Sequence, residues 1–420
     1  MHDGGRASLA RRSGNPAGFT ALVSASLLVT AAANLSPTLV SALAVQIQDD
    51  LGIGEAEIGM TVSAFFFVGV LSSALSGRMV ERIGPTAALR LAAATAGTIL
   101  VVTGWLGRSW PALIVFVAVA GLANSWAQPG ANLYVARGVF SGRQGLALGI
   151  QKSGIPTASL LAGLAIPTVG LTIGWSWAFV LGGLFAFGVS LGVPAVPGAP
   201  VDDGSSRPEA DAPSEAPANG AVRPRPDVPL RLLVAVACST CLAAMGSMAL
   251  SSFFVLSSVE IGIAEAVAGI LLMAGSVVGI ASRLAMGAAA DRASVSPLYM
   301  LTGMFAVASL AFVGLSTGSA AMLYAAMPFA FATSLAWPGL FHLAMVRSNP
   351  SAPGLATGIT MTGSFTGAVC GPLLFGLLVE ATSYGWAWGF AAATSGAAAA
   401  VMAVTGRLIS NRPAQTPSEP

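Results

Sequence analysis

Twelve apolar runs, each of membrane-crossing length, follow one another along this 420-residue chain. Roughly 20 helical residues, rising ~1.5 Å each, traverse the ~30 Å hydrocarbon layer of a bilayer. In that layer no water satisfies a bare main-chain N–H or C=O, so long apolar runs must close their bonds as helices. The runs lie near 18–46, 56–77, 85–106, 111–136, 143–168, 172–194, 230–257, 264–287, 296–316, 319–346, 353–379 and 385–408. Pro85 and Pro111 stand at first-turn positions, where a missing N–H costs nothing. Charged residues make up 9%, against about 25% in a soluble domain. The expected fold is an all-α polytopic membrane protein with twelve transmembrane helices.

Basic residues set the expected orientation. Arg78, Arg82 and Arg90 mark the loop between spans 2 and 3, and Arg137 and Arg143 that between spans 4 and 5. Arg207, Arg223, Arg225 and Arg231 follow span 6, Arg292 follows span 8, Arg347 follows span 10, and Arg407 and Arg412 lie at the end. The opposite side holds Arg108 and a run of acids: Asp49, Asp50, Glu55, Glu57, Glu260, Glu265 and Glu380. The excess of arginine places both termini and the even-numbered loops in the cytoplasm. The expected location is the cytoplasmic (inner) cell membrane. The N-terminal flank carries Arg6, Arg11 and Arg12, but the apolar run after it is too long for a signal-peptide core.

The two halves of the chain repeat each other. Gly52-Ile-Gly-Glu55-Ala56 returns as Gly262-Ile-Ala-Glu265-Ala266, and Gly77-x-x-x-Glu81-Arg82 as Gly287-x-x-x-Asp291-Arg292. Gln128-Pro129-Gly130 returns as Trp337-Pro338-Gly339, and Gly145-Leu-Ala-x-Gly149-Ile as Gly354-Leu-Ala-x-Gly358-Ile. Gly174-Trp175-Ser-Trp177-Ala-Phe179 returns as Gly385-Trp386-Ala-Trp388-Gly-Phe390. Two parallel six-helix repeats place a binding site near the midplane, between the halves. The expected organisation is a tail at 1–17, a first bundle at 18–194, a Pro-rich and polar linker at 195–229, a second bundle at 230–409 and a tail at 410–420. The linker composition is that of a disordered segment.

With these residues in view, the chain resembles the major facilitator superfamily over essentially its whole length. The resemblance rests on Gly77-Arg-Met-Val-Glu81-Arg82-Ile-Gly84 and its echo Gly287-Ala-Ala-Ala-Asp291-Arg292. It implies a conformational latch, in which the acid of the motif meets the start of a neighbouring helix and helps hold the outward-open state. The basic pair that closes the motif in that family is replaced by Thr86 and Ala87, with Arg90 as the nearest stand-in.

Inside the spans one residue stands apart. Lys152 is the only lysine, and it falls near the middle of the fifth run. A charge at that depth costs on the order of 2.5–3.5 kcal/mol, which marks it as a functional candidate. Gly145, Gly149, Lys152 and Pro156 share one helical stripe, so Lys152 is expected to face protein or a cavity. Its repeat counterpart is Met361, so the charge serves no need common to both halves. One reading has it attract an anion; the other has it bond buried carbonyls. Arg283, four residues before Gly287, is a second cation, in an Arg-x-x-x-Gly spacing that resembles a carboxylate-binding arginine of monocarboxylate- and oxalate-type carriers in the family. Asn34, Asn124, Gln128, Asn132, Gln151 and Thr360 are polar at similar depth, and Trp126 and Trp337 either line a cavity or pack against one. Trp175, Trp177, Trp386 and Trp388 read as an interfacial aromatic belt.

No Asp or Glu lies at midplane depth, which weighs against expulsion of cationic drugs. No carboxylate pair, metal cluster or phosphate loop with Lys-Ser/Thr supports an enzyme or an ATP motor. Three cysteines give no disulfide framework. The expectation is a secondary transporter of a small, anionic solute, working in the lipid bilayer as a monomer, with proton symport or anion exchange at Lys152, and without cofactor, metal or nucleic acid. Proton-linked drug or metabolite efflux and a non-transporting sensor or scaffold are the alternatives.

Overall fold

The computed structural model describes residues 16–139, 144–196, 226–292, 296–349 and 351–410. The expected tails at 1–17 and 410–420 and the linker at 195–229 therefore fall mostly outside the described residues. Among these there are twelve helices long and apolar enough to cross a membrane. Spans 1 to 4 are Pro16–Ala42, Glu55–Ile83, Pro85–Leu106 and Trp110–Gly138. Span 5 is built in pieces, Gln144–Lys152 and Gly154–Ala165 followed by a π turn at Ile166–Gly170 and a last turn at Leu171–Ile173. Spans 6 to 12 are Trp175–Gly192, Leu230–Glu260, Glu265–Arg292, Pro297–Ser316, Ala320–Ser348, Pro353–Ala381 and Tyr384–Ser410.

Helix ends differ from hydropathy edges for local reasons. Span 2 runs on to Ile83, past the edge expected at 77, because apolarity reports where hydrocarbon stops and not where hydrogen bonding stops. Gly84 ends it with a φ of +82°, and Pro85 opens span 3. Span 1 stops at Ala42, and a short helix, Ala44–Leu51, continues beyond the turn at Leu43. Pro167, which has no N–H, sits in the π turn.

Repeat-related glycines make the close crossings. Gly154 lets span 5 onto span 1, where a Cβ would stand 2.6 Å from the Thr30 Cβ; its counterpart Gly363 lets span 11 onto the Ala237 carbonyl of span 7. Two further crossings join the halves. Gly59 of span 2 lies against the Pro372 carbonyl of span 11, and Gly269 of span 8 against the Gly163 carbonyl of span 5, at 2.7 Å from a Cβ position. With no hydrophobic drive between helices in lipid, such backbone-to-backbone packing is a main source of association.

All of these inter-half contacts lie toward the face of loops 1–2, 7–8 and 11–12. Two hydrogen bonds reinforce them there: Gln46 Nε2 donates to Glu265 Oε1 at 2.7 Å, and the Tyr384 hydroxyl donates to Glu55 Oε1 at 3.3 Å. At the face that carries the chain termini the halves stand apart. Gly77, Gly149, Gly287 and Gly358, from spans 2, 5, 8 and 11, have nothing within 4 Å of a Cβ position, and Leu71 and Leu75 are exposed.

The aromatic belt needs a correction. Trp177 and Trp386 are exposed, as a belt requires, but Trp175 and Trp388 are buried. Trp175 donates to Asp50 at 2.7 Å, and Trp388 packs between Phe312 and Phe375. Two positions apart on a helix face roughly opposite ways, so one of each pair turns inward.

Candidate functional site

Three helices of the first half bring polar side chains into one band. Span 4 contributes Asn124 and Gln128, one turn apart on one face; span 1 contributes Thr30 and Asn34, likewise one turn apart; span 5 contributes Gln151 and Lys152. Lys152 Nζ donates to Gln128 Oε1 at 2.8 Å. Gln151 is fully buried and donates through Nε2 to the Thr30 hydroxyl at 3.1 Å. Thr30 in turn bonds the Ser26 carbonyl at 2.9 Å, and Asn34 Nδ2 donates to the Thr30 carbonyl at 2.8 Å and to Asn124 Oδ1 at 3.2 Å. The Gln151 Oε1 atom is buried without a partner.

The second half supplies Arg283. Its Nε donates to the Leu335 carbonyl of span 10 at 3.0 Å, one terminal nitrogen reaches the same carbonyl, and the other reaches the Lys152 carbonyl of span 5. The guanidinium therefore straddles the boundary between the halves. Among the described residues no carboxylate pairs with Lys152 or Arg283; their acceptors are an amide oxygen and main-chain carbonyls. Two cations set together in apolar surroundings, without a counter-charge, form an attractive place for an anion.

The remaining residues singled out from the sequence do not join these hydrogen bonds. Thr360 is fully buried and bonds its own helix at Ala356, while its carbonyl accepts from Thr240 at 3.3 Å. Trp337 is packed with Phe305 and Phe341, and its indole donates to Ser247 at 3.1 Å. Trp126 packs against the buried cluster that holds Leu89, Ala92 and Tyr134. Asn132 is exposed. None of these four touches the Lys152 band by hydrogen bond. In the latch motif Glu81 and Arg82 are exposed, Gly84 forms the turn, and Gly77 and Gly287 face open space; the side chains of Asp291 and Arg292 lie outside the described residues. Arg90, the nearest stand-in for the missing basic pair, donates to the Val193 carbonyl at 2.8 Å, at the end of span 6.

Sequence reasoning passed over Thr30, the acceptor at the centre of the band, although its place one turn before Asn34 was visible. The Leu335 carbonyl carried no side-chain signal at all.

The family model described as Major Facilitator Superfamily matches residues 21–348 and 236–420. The chain is 27% identical over 149 residues to "Probable anion transporter 3, chloroplastic" of Arabidopsis thaliana, covering 35% of this chain and 29% of that protein. It is 29% identical over 156 residues to "Probable sulfoacetate transporter SauU" of Cupriavidus necator, covering 36% of this chain and 35% of that protein. The chain thus matches only about a third of the length of these curated relatives. Its fold is similar to the crystal structure of a D-xylose–proton symporter, with a TM-score of 0.70 at 13% identity, covering 91% of this chain and 97% of that one. It is also similar to a bacterial homologue of the human lysosomal transporter Spinster in an inward-facing, unoccupied conformation, with a TM-score of 0.64 at 15% identity over 92% and 95% of the two chains.

Proposed function

This chain belongs to the major facilitator superfamily, and from that premise we propose that it carries a small organic anion, a carboxylate or sulfonate, across the cytoplasmic membrane by alternating access. It is a non-enzymatic, multi-pass transporter. The observation that carries the anion reading is the meeting of Lys152 and Arg283, one from each half, with no carboxylate paired to either among the described residues. Gln128, Gln151, Asn34 and Asn124 supply the neutral hydrogen-bonding groups around them. The partial relatives described as anion and sulfoacetate transporters agree in ligand class.

The arginine bias of the even-numbered loops puts the termini in the cytoplasm, so the parted face is the cytoplasmic one and this state is inward-open. An anion entering there meets Lys152 at the floor of the opening. Closing that face and parting the other carries it across. Protonated Lys152 and Arg283 give the site two positive charges, the anion brings the loaded site closer to neutral, and the proton held on Lys152 travels with it. In this reading the chain works as two six-helix bundles, 18–194 and 230–409, joined by the segment at 195–229.

The test is uptake into proteoliposomes of sulfoacetate, acetate, oxalate and sulfate, against lipophilic cations, with and without a pH gradient. Lys152→Met, which copies the second repeat, is expected to abolish anion uptake. Cation export that is indifferent to Lys152→Met would overturn this reading in favour of drug efflux.

A further inference from the structure

Span 5 breaks beside Lys152, and the break has a single chemical origin. A proline lacks the N–H that would bond the carbonyl four residues earlier. For Pro156 that carbonyl is Lys152's. The bonds around it close without it. Ser153 N–H turns back to the Ile150 carbonyl at 3.0 Å, its hydroxyl takes the Gly149 carbonyl at 3.2 Å, and Thr157 N–H takes the Ser153 carbonyl at 3.0 Å. A bare carbonyl at membrane depth is costly, and the donor that satisfies this one comes from the opposite half, from Arg283.

Span 8 is shaped to deliver that donor. Gly275 and Gly279 sit two turns and one turn before Arg283, and they admit Phe331 and Leu335 of span 10 within 2.7 and 2.5 Å of their Cβ positions. The close crossing sets the guanidinium against the Leu335 carbonyl, with one terminal nitrogen left to reach across the boundary. Every acceptor Arg283 holds is therefore a neutral, single-oxygen carbonyl.

We propose that the Lys152 carbonyl, bared by Pro156, is a stand-in acceptor that an anionic substrate displaces from Arg283, so that filling the site unhooks span 8 from span 5. The inference rests on the anion reading of this band. A guanidinium bond to an anionic oxygen adds the attraction of opposite charges, which a bond to a neutral carbonyl lacks. The forked guanidinium also matches the paired oxygens of a carboxylate or sulfonate, which an amide carbonyl cannot offer. A neutral solute gains nothing by the exchange and leaves the halves hooked. Pro156 is thus a specificity residue that never touches substrate: it creates the competitor that only an anion outbids.

Pro156→Ala and Pro156→Leu each restore a main-chain N–H that can take the Lys152 carbonyl, leaving Lys152 and Arg283 unaltered. Sulfoacetate, oxalate and sulfate are titrated into the purified full chain, with binding read by calorimetry and thermal stabilisation. The proline variants are expected to bind the best anion of this panel about three- to tenfold more tightly, since the competing state is removed. The gain should vanish in a Pro156→Ala/Arg283→Gln double variant. If wild type binds anions but neither proline variant binds them more tightly, or if the gain survives without Arg283, the exchange is wrong while the anion site stands. If no anion of the panel binds wild type, the anion reading itself falls and this inference with it.

Discussion

Gln46 of the first half donates to Glu265 of the second at 2.7 Å, and Glu265 is the repeat counterpart of Glu55, which accepts from Tyr384. The block Gly-Ile-x-Glu-Ala, legible in both halves as a repeat, thus places one acceptor at the first residue of spans 2 and 8, and each is met from across the boundary. Hydrogen bonds to charged groups contribute about 1.5–3 kcal/mol when well formed, and less where water competes. Gln46→Leu combined with Tyr384→Phe should therefore move the conformational equilibrium toward opening of this face by roughly tenfold. A membrane-impermeant thiol reagent, applied to a variant with Ile166→Cys, which is buried against Gly269 at this seam, reads the change. Unaltered labelling would show that the glycine crossings alone hold the face shut.

Those crossings give a second expectation. Gly59 and Gly269 are counterparts that seat span 2 on span 11 and span 8 on span 5. A Val at Gly59 or Gly269 should leave each six-helix half folded but prevent this face from closing, since the added atoms meet backbone that cannot yield. A Val at Gly363, which packs within one half against Ala237, should instead lower the unfolding temperature by several degrees. Transport and thermal unfolding measured side by side separate the two classes.

Gly77, Gly149, Gly287 and Gly358 face open space at the parted end. Alternating access requires this end to close in its turn, and small residues are what permits helices to meet there. Gly149→Val and Gly358→Val should leave equilibrium anion binding within about twofold of wild type yet reduce transport at least tenfold, because 1.4 kcal/mol of clash in the closed state already gives that factor. A variant that transports at the wild-type rate would place the closing contact elsewhere.

Thr30 is the acceptor for Gln151 and the donor to Ser26. Thr30→Val keeps the shape but leaves the buried Gln151 amide without its partner, at a cost of about 1–3 kcal/mol. The expected result is a lower unfolding temperature together with weaker anion binding. Thr240→Val, at the counterpart position, should lower stability alone, since its partners are the Ala237 and Thr360 carbonyls and no side chain of the band.

At the membrane edge, Asp227 accepts from the Ser351 N–H at 2.9 Å and from its hydroxyl at 2.8 Å. The backbone N–H of Ser351 chiefly holds this carboxylate below its ordinary range. A group whose folded pKa is depressed stabilises above its unfolded value, about 4 for Asp, and loses that contribution as pH falls through the folded value. The gap in unfolding temperature between wild type and Asp227→Asn should therefore be constant above about pH 5 and shrink below about pH 4. A gap that widens in acid would contradict the assignment.

Much of this protein was legible before any coordinates. Helix number follows from hydropathy because a bilayer tolerates few alternatives, and the repeat is written in residues that pack the same way twice. The band around Lys152 was legible in part. A lone lysine among apolar residues announces itself, and Asn34, Asn124, Gln128 and Gln151 stood at matching depth. Depth alone does not give rotation about a helix axis, so Thr360 and Trp337, which occupy the positions of Gln151 and Gln128 in the second half, turned out to serve packing there. Asn132, one turn beyond Gln128 on span 4, is exposed and makes none of the band's hydrogen bonds.

The sequence by itself determined the class, the span count, the two-fold internal plan and the asymmetry at Lys152 against Met361. Each of these is local or periodic, and the membrane converts local composition directly into structure. The tertiary structure decided which face is shut, which tryptophans are buried, and where Arg283 sends its three donors. Those outcomes depend on contacts between different helices, and one of them joins a side chain to a main-chain carbonyl of the other half. A carbonyl is the same at every residue, so only the fold could show that the one left bare by Pro156 lies within reach of an arginine from the other half.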